Sequence, residues 1–339
     1  MKIVETTPGL KKIKKGCVLT IGNFDGVHIG HQEILTAAKK AASAKRAELI
    51  ALTFEPHPVA ILFPEKAPGV LTPLELKKHL LAECGVDCLI VLKDSQELLS
   101  LSPADFVERF LVRNIQPGAV VEGEDFNFGS GRTGNIHMLR NLGREKGFEV
   151  VVVAPKQTRL SIGHAVRVSS TIIRNLLESG KAADAAIALG RPYCLIGRVV
   201  PGHGRGRKLG FPTANLEPLR QIIPAEGVYA GRVVIADSEE QICLAEAKIP
   251  AVFSIGRLPT YGSSESQLIE AHLLVEDVGG LCGRWLAMDF VHYLRSQQKF
   301  NTLQELAKQI AKDCQEARQI LRPAKGEKSK DERDYKTGI

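Results

Sequence analysis

Two histidines three residues apart open the chemical reading of this chain. Residues 22–32 read GNFDGVHIGHQ, glycines first and then His28 and His31. Glycines let a backbone pass close to a ligand, and a helix start offers unpaired N–H groups and a positive dipole end that suit phosphate. Helical side chains three apart share a face, so both imidazoles can stabilise the extra negative charge on a pentavalent phosphorus. A tight turn with two surface histidines is the bland alternative; a strand, a Gly-rich turn and HxGH together argue against it. A second piece is VSSTIIR at 168–174. Ser169 or Ser170 is a natural N-cap, and Arg174 lies about one turn into the helix, within reach of a phosphate. Between the two, GEDFNFG at 123–129 could hold a flat ring or simply turn the chain. FEPHP at 54–58 is a Pro-stiffened strand end.

The second half carries GHGRGRKLGFPTAN at 202–215. Its glycines and the cations Arg205, Arg207 and Lys208 make a mobile, cationic loop that could close on a nucleotide. The spacing matches neither a dinucleotide fingerprint nor a P-loop, and basic Gly-rich loops also bind RNA. Thr213 and Asn215 place a hydroxyl and an amide oxygen two apart; on an extended segment these point the same way, and oxygen ligands suit Mg²⁺. A turn is the competing meaning of PTAN.

Those groups need elements to hold them. Apolar runs at 17–21, 48–54, 88–92, 119–121 and 149–154 read as strands, with helical patterns at 29–42, 74–83, 103–112 and 136–146 between them. Such alternation implies βαβ units and a parallel sheet. The first half is therefore expected to be an α/β, Rossmann-like nucleotide-binding domain, with its motifs at the carboxyl edge of the sheet. A helix over 171–178, ended by Gly180 as C′ residue, and a shorter one to about Leu189 follow. Beyond Cys194 come β-rich runs at 195–200, 227–235, 243–249, 268–274 and 285–293 with no long helix between them, which predicts a small antiparallel barrel. Apolar residues at 303, 306, 310, 314, 317 and 321 predict a helix packed on that barrel. The expected division is a first domain over 1–187, a second over 188–322 and a disordered polar tail over 323–339.

Composition narrows the class. At 339 residues the chain is too long for one ordinary core. Hydrophobic residues at 44% and charged residues at 24% exclude a disordered or collagen-like chain, and no apolar run suffices for a membrane span. The amino-terminal MKIVETTPGLKKIKKG has no apolar segment behind its basic residues, so no signal peptide is expected. Seven cysteines, an odd number, include one close pair, Cys84 and Cys88, with no second pair to complete a zinc site. Reduced thiols in the cytoplasm are the better reading. The net charge of +7 fits phosphorylated ligands as well as a plain basic surface. Aromatics at 5% give little support to a base-stacking surface for nucleic acid.

At the motifs quoted above the chain resembles a known family. GNFDGVHIGHQ, FEPHP, GEDFNFG and VSSTIIR occur in the order and spacing of the bacterial bifunctional riboflavin kinase/FMN adenylyltransferases, and the resemblance runs over about residues 10–320. It implies attack by the FMN phosphate on the α-phosphorus of ATP, giving FAD and pyrophosphate, by charge stabilisation and alignment. It also implies that His28, His31, Ser170 and Arg174 handle the ATP phosphates, along with Gly22, Phe24, Gly30, Ser169 and Thr171. Asn23 and Asp25 would shape the loop, and Asp125, Phe126 and Phe128 would lie near the flavin or nucleotide. For the second half it implies a six-stranded Greek-key riboflavin-kinase barrel that moves the γ-phosphate of ATP to the 5′-hydroxyl of riboflavin. There Gly204, Arg207, Lys208 and Gly210 would meet ATP, Thr213 and Asn215 would hold Mg²⁺, and Arg295 would meet the flavin. Glu270, in an E-x-H-L strand, would take the hydroxyl proton; without the resemblance it reads as a solvated carboxylate. The implied partners are ATP, riboflavin and FMN, with neither nucleic acid nor membrane.

Several residues depart from the family pattern. Ser254 replaces an asparagine, Cys282 a tyrosine and Gln297 an acid, which predicts weaker flavin binding in the second half. Glu122 takes a position that is usually apolar. Two rival readings follow: an HxGH transferase acting on a different phosphate with the barrel as clamp, and a nucleic-acid-binding module.

Overall fold

A computed structural model of the protein describes residues 1–5, 7–10, 13–93, 96–161, 163–202, 204–245, 247–258, 266–275 and 279–322; the polar tail expected from 323 lies outside them. The chain forms two compact units, Met1–Ser170 and Thr171–Ile339.

The first unit is built on strands β1 (Lys2–Val4), β2 (Val18–Ile21), β3 (Leu49–Phe54), β4 (Cys88–Leu92), β5 (Ala119–Gly123) and, after a short ribbon of β6 (Asn127–Phe128) and β7 (Gly134–Asn135), β8 (Glu149–Val153). They form one sheet in the order β1-β4-β3-β2-β5-β8, and every pair is parallel. Parallel strands need both faces covered, which is why they read as unbroken apolar runs. Val18, Leu49 and Leu89 face Leu35, Ala38 and Leu81 of the helices Ile29–Lys45 and Leu74–Glu83. Leu19, Ile50 and Val120 face Phe106, Leu111 and Leu139 on the other side. Each fully buried side chain of this size contributes about 1.5–3 kcal/mol. The chain runs outward from β2 through β3 to β4 and then returns to β5, so the order reverses between β2 and β5. In open α/β sheets ligands sit in the crevice at that reversal. A last ribbon, β9 (Gln157–Arg159) with β10 (Ala165–Arg167), precedes Ser170.

Two details differ from expectation here. The edge strand β1, only three residues long, is too short for a periodic signal. The helix expected over 103–112 begins at Pro103 behind the N-cap Ser102, then widens from Phe106 to Ile115 into π-helical turns.

In the second unit the helix Ser170–Glu178 gives way to Ala182–Leu189, with Gly180 at φ 72° between them. Six strands follow: β11 (Tyr193–Val200), β12 (Ala214–Pro218), β13 (Gly227–Ala236), β14 (Ile249–Leu258), β15 (Ser266–Leu273) and β16 (Trp285–Arg295). They close into an antiparallel barrel in the order β11-β12-β15-β14-β13-β16, with β16 pairing back onto β11. Because β12 skips β13 to pair with β15, the path is a Greek key. Tyr229, Phe253 and Phe290 fill the interior, with ring centroids about 5 Å apart. Gly231 is forced by that packing: a Cβ there would lie 2.2 Å from the Asp289 carbonyl and 2.3 Å from Phe253. The helix Leu303–Ile320, capped by Thr302, lays Cys314 and Ala317 on Val228, Ala230 and Val252.

Of the strand expected over 243–249, the described residues before Ile249 are not in a strand. Ser238 caps a short helix, Glu239–Ile242, and the strand begins only at Ile249, running ten residues to Leu258. A cap followed by two acids at a helix start outweighs the apolar character of the stretch. The strand β12 was not legible because PTAN resembles a turn.

Candidate active sites

The loop between β2 and the helix Ile29–Lys45 is held in a costly shape. Phe24 (φ 47°) and Val27 (φ 38°) lie in the left-handed region although neither is glycine, and both are buried; such residues cost about 1–3 kcal/mol each. Asp25 holds the loop. Its buried carboxylate accepts the Leu71 N–H (3.0 Å) and the Thr72 N–H (3.0 Å), while Gly26 N–H donates to Thr72 Oγ1 (3.0 Å). Asn23 Nδ2 lies 2.9 Å from Nε2 of His57, the histidine of FEPHP, and Thr53 Oγ1 donates to the Asn23 carbonyl.

The two histidines come together as their spacing predicts. His28 is the N-cap, its Nδ1 accepting the His31 N–H at 3.2 Å, and the two rings stack with centroids 3.6 Å apart. Phe24 meets His31 edge-on at 5.4 Å. Gly30 lies close under that ring: a Cβ there would be 3.1 Å from His28 Cε1 and Nδ1, so the ring would have to give by a few tenths of an ångström. Ser170 Oγ donates to the Asp25 carbonyl at 2.8 Å, which brings the VSS segment to this loop. Ser170 starts its helix, Ser169 precedes it, and Thr171 and Arg174 follow in the second unit.

Asp125 pairs with Arg167 at 2.6 Å, and Phe126 stacks on Phe128 at 5.7 Å. Phe128 itself is a core residue, 5% exposed and packed on Phe106. Lys77 was missed: it is buried on the helix Leu74–Glu83, where burial lowers its ammonium against the opposing pull of Asp25 and Glu55. The available signal was a lysine at a core-facing position, three and four residues before Leu80 and Leu81.

In the barrel, Asn215 stands directly across from Glu270 on paired strands, and Thr213 Oγ1 donates to Glu270 Oε1 at 3.3 Å. The Gly-rich loop packs on these groups. A Cβ at Gly202 would fall 1.8 Å from Asn215 Nδ2, and one at Gly206 3.2 Å from Thr213 Oγ1. Gly204 and Gly210, at φ 66° and 83°, bracket one helical turn, Arg205–Lys208. A cavity of about 600 Å³ is lined by Gly204, Arg207, Thr213, Asn215 and Cys282. His272 was also missed. Its Nδ1 donates to the Pro212 carbonyl at 2.8 Å, which fixes the start of PTAN. Thr213, Asn215 and Glu270 present hard oxygen donors, a set that fits a small divalent cation completed by phosphate and water. Among the described residues no cluster of three or more His, Cys, Asp or Glu offers an alternative metal site.

Two of the departures touch each other. Gln297 Nε2 donates to Ser254 Oγ (3.0 Å) and to the Ile255 carbonyl (2.8 Å), and Ser254 lies across from Glu270. Arg295, expected to meet the flavin, pairs with an acid of the chain. Its guanidinium is bidentate on Asp313 of the helix Leu303–Ile320 (2.7 and 3.0 Å), and both groups are largely buried. The pair ties the end of β16 to that helix.

A histidine-bearing glycine loop at the reversal of a parallel sheet, joined to a barrel with its own oxygen-rich cluster, defines a two-domain nucleotide-using transferase. Residues 10–172 match the FAD synthetase family and residues 189–321 the riboflavin kinase family, both ATP-using. The chain is 37% identical over 323 residues to the bifunctional riboflavin kinase/FMN adenylyltransferase of Escherichia coli K12, spanning 95% of this chain and 98% of that one. It is 36% identical to the same-named protein of Pseudomonas fluorescens, spanning 96% and 99%. A crystal structure described as a macrolide-efflux protein from Streptococcus pneumoniae is 28% identical, with a TM-score of 0.80 over 94% of this chain and 99% of that one. Among the described residues no helix is long and apolar enough to cross a membrane. The chain belongs to the bifunctional riboflavin kinase/FMN adenylyltransferase family.

Proposed function

We infer that this chain phosphorylates riboflavin to FMN and then adenylates FMN to FAD, consuming ATP at each step and releasing pyrophosphate at the second. The observation that carries the reading is the meeting of Thr213, Asn215 and Glu270 across β12 and β15, in a chain that also holds the stacked His28 and His31. In the barrel, Glu270 takes the proton from the 5′-hydroxyl of riboflavin as oxygen attacks the γ-phosphorus. Thr213 and Asn215 would hold Mg²⁺, which when bound would neutralise phosphate charge there. Arg207, Lys208 and the glycines 204 and 210 close on ATP.

In the first domain the attacking FMN phosphate is already anionic, so the work is alignment and charge stabilisation. His28 and His31 donate to the α-phosphate, Ser169, Ser170, Thr171 and Arg174 to the phosphates beside it, and Asp125 with Phe126 borders the flavin. We assign 1–187 to adenylyl transfer and 188–322 to the kinase. A cytoplasmic location accords with cysteines that form no disulfide among the described residues. Incubation of the purified chain with riboflavin, ATP and Mg²⁺, followed by chromatographic separation of the flavins, tests the reading. FMN followed by FAD is expected, and the absence of both products overturns it.

A further inference from the structure

Glu122 is a buried carboxyl group, 3% exposed, that the chemistry above leaves unused. It sits at the reversal of the sheet. β2 and β5 pair only through Val18–Ala119 and Leu19–Val120, whereas β2 continues with β3 to Ile21 and β5 continues with β8 to Gly123. The two central strands therefore part at their carboxyl ends. The N–H groups of Val18 and Gly22 point to the β3 side, bonded to the carbonyls of Glu48 and Leu52. By strand alternation the Ile21 N–H points into the parting, where no main-chain acceptor of β5 reaches it. Glu122 Oε1 takes that N–H at 2.5 Å. Ile21 is the residue directly before the loop that carries both histidines.

We propose that Glu122 is a positioning residue for adenylyl transfer: its carboxyl group fills the parting of β2 and β5 and, through Ile21, fixes the stem of the histidine loop. A buried N–H demands an acceptor, so an apolar side chain at 122 leaves the stem untied. The environment also selects a protonation state. Burial pushes this carboxyl well above the ordinary carboxylate range, and the Asp125 carboxylate, itself paired with Arg167, pushes the same way; the Ile21 N–H and the Thr20 hydroxyl pull against them. From β8 the facing residue is Val152, and no cation among the described residues offsets the burial. The fold thus favours the neutral acid. Because its value is raised on folding, the stabilisation is full below the ordinary glutamate range and is lost as pH climbs through the raised value. The stem should loosen as this carboxyl ionises.

This rests on the adenylyltransferase reading of the first domain. The test uses the full chain, Glu122→Gln and Glu122→Val, each assayed for FAD from supplied FMN and for FMN from riboflavin, from acid to alkaline pH. Gln keeps the acceptor and cannot ionise; it should match the parent at the acid end of the profile and keep its FAD synthesis as pH rises through the range in which the parent's falls. Val should lower kcat/KM for FAD synthesis about tenfold or more, as misplacement of reacting groups does, with FMN synthesis unchanged. The role is overturned if Gln declines with rising pH as the parent does, or if Val retains full FAD synthesis. Should Val not fold, the pH profile of Gln decides alone. A parent chain that makes no FAD at any pH overturns the adenylyltransferase reading instead.

Discussion

Gly30→Ala separates activity from stability at the histidine pair. Gly30 is the second residue of the helix Ile29–Lys45, and its backbone is not left-handed, so alanine is allowed there. The added Cβ lies 3.1 Å from two atoms of the His28 ring, a few tenths of an ångström too close. That ring cannot simply slide, because it stacks on His31 at 3.6 Å and accepts the His31 N–H. Moving it gives up a cap worth about 1 kcal/mol, while alanine in place of glycine within a helix returns up to about 1 kcal/mol. The two nearly cancel. With about 2–4 °C per kcal/mol for a domain of this size, melting should shift by only a few degrees. Chemistry has no such offset: with His28 in the proposed role of donor to the α-phosphate, its displacement should cost about 10²–10³ in turnover. The assay pairs FMN-to-FAD turnover with riboflavin-to-FMN turnover on one preparation, with a thermal melt beside them. FAD synthesis should collapse while FMN accumulates. Full FAD synthesis, or loss of activity in step with a large fall in melting temperature, would refute the argument that the glycine exists for the ring.

Three further outcomes are expected. Glu270→Gln should slow FMN formation by about 10²-fold or more, the range for losing a general base, while conversion of supplied FMN to FAD persists; unchanged kinase turnover would show that another group takes the proton. Asp313→Ala should destabilise the barrel by about 3–5 kcal/mol in urea denaturation, because it strands the largely buried Arg295; the double variant Arg295→Met with Asp313→Leu should recover most of that loss. Thiol reagents at neutral pH should modify the exposed Cys282 first, read by mass spectrometry. Cys17 and Cys314, pushed by burial to about 12 and about 11, should stay untouched until the chain unfolds.

The parallel sheet was legible because burial on both faces leaves apolar runs, and the helices Leu74–Glu83 and Ile136–Lys146 because their boundaries carry clear signals. The strand Ala214–Pro218 was not, since only Ala214 and Asn215 pair with β15 and a proline precedes them. In the sites, local spacing foretold the histidine stack. It could not foretell contacts made far along the chain: Asp25 reaches residues 46 and 47 positions away, and His272 reaches back 60 positions to Pro212. The Arg295–Asp313 pair was hidden for the same reason, because Asp313 sits on a helix that sequence patterning places but cannot dock.

The helical pair that opens the second unit bears on how the halves can be produced separately. The Leu177 carbonyl accepts the Ala225 N–H, Gly180 lies against Tyr293, and the helix Ala182–Leu189 packs on β11 and β16. A truncation that ends after residue 187 would carry these helices away from the surface they cover, leaving Leu177, Ala182, Ala185 and Ala188 bare on one fragment and the barrel wall bare on the other. Both fragments would then be sticky for reasons unrelated to catalysis. A barrel fragment beginning at Thr171 keeps its own cover, and its solubility should exceed that of one beginning at residue 188.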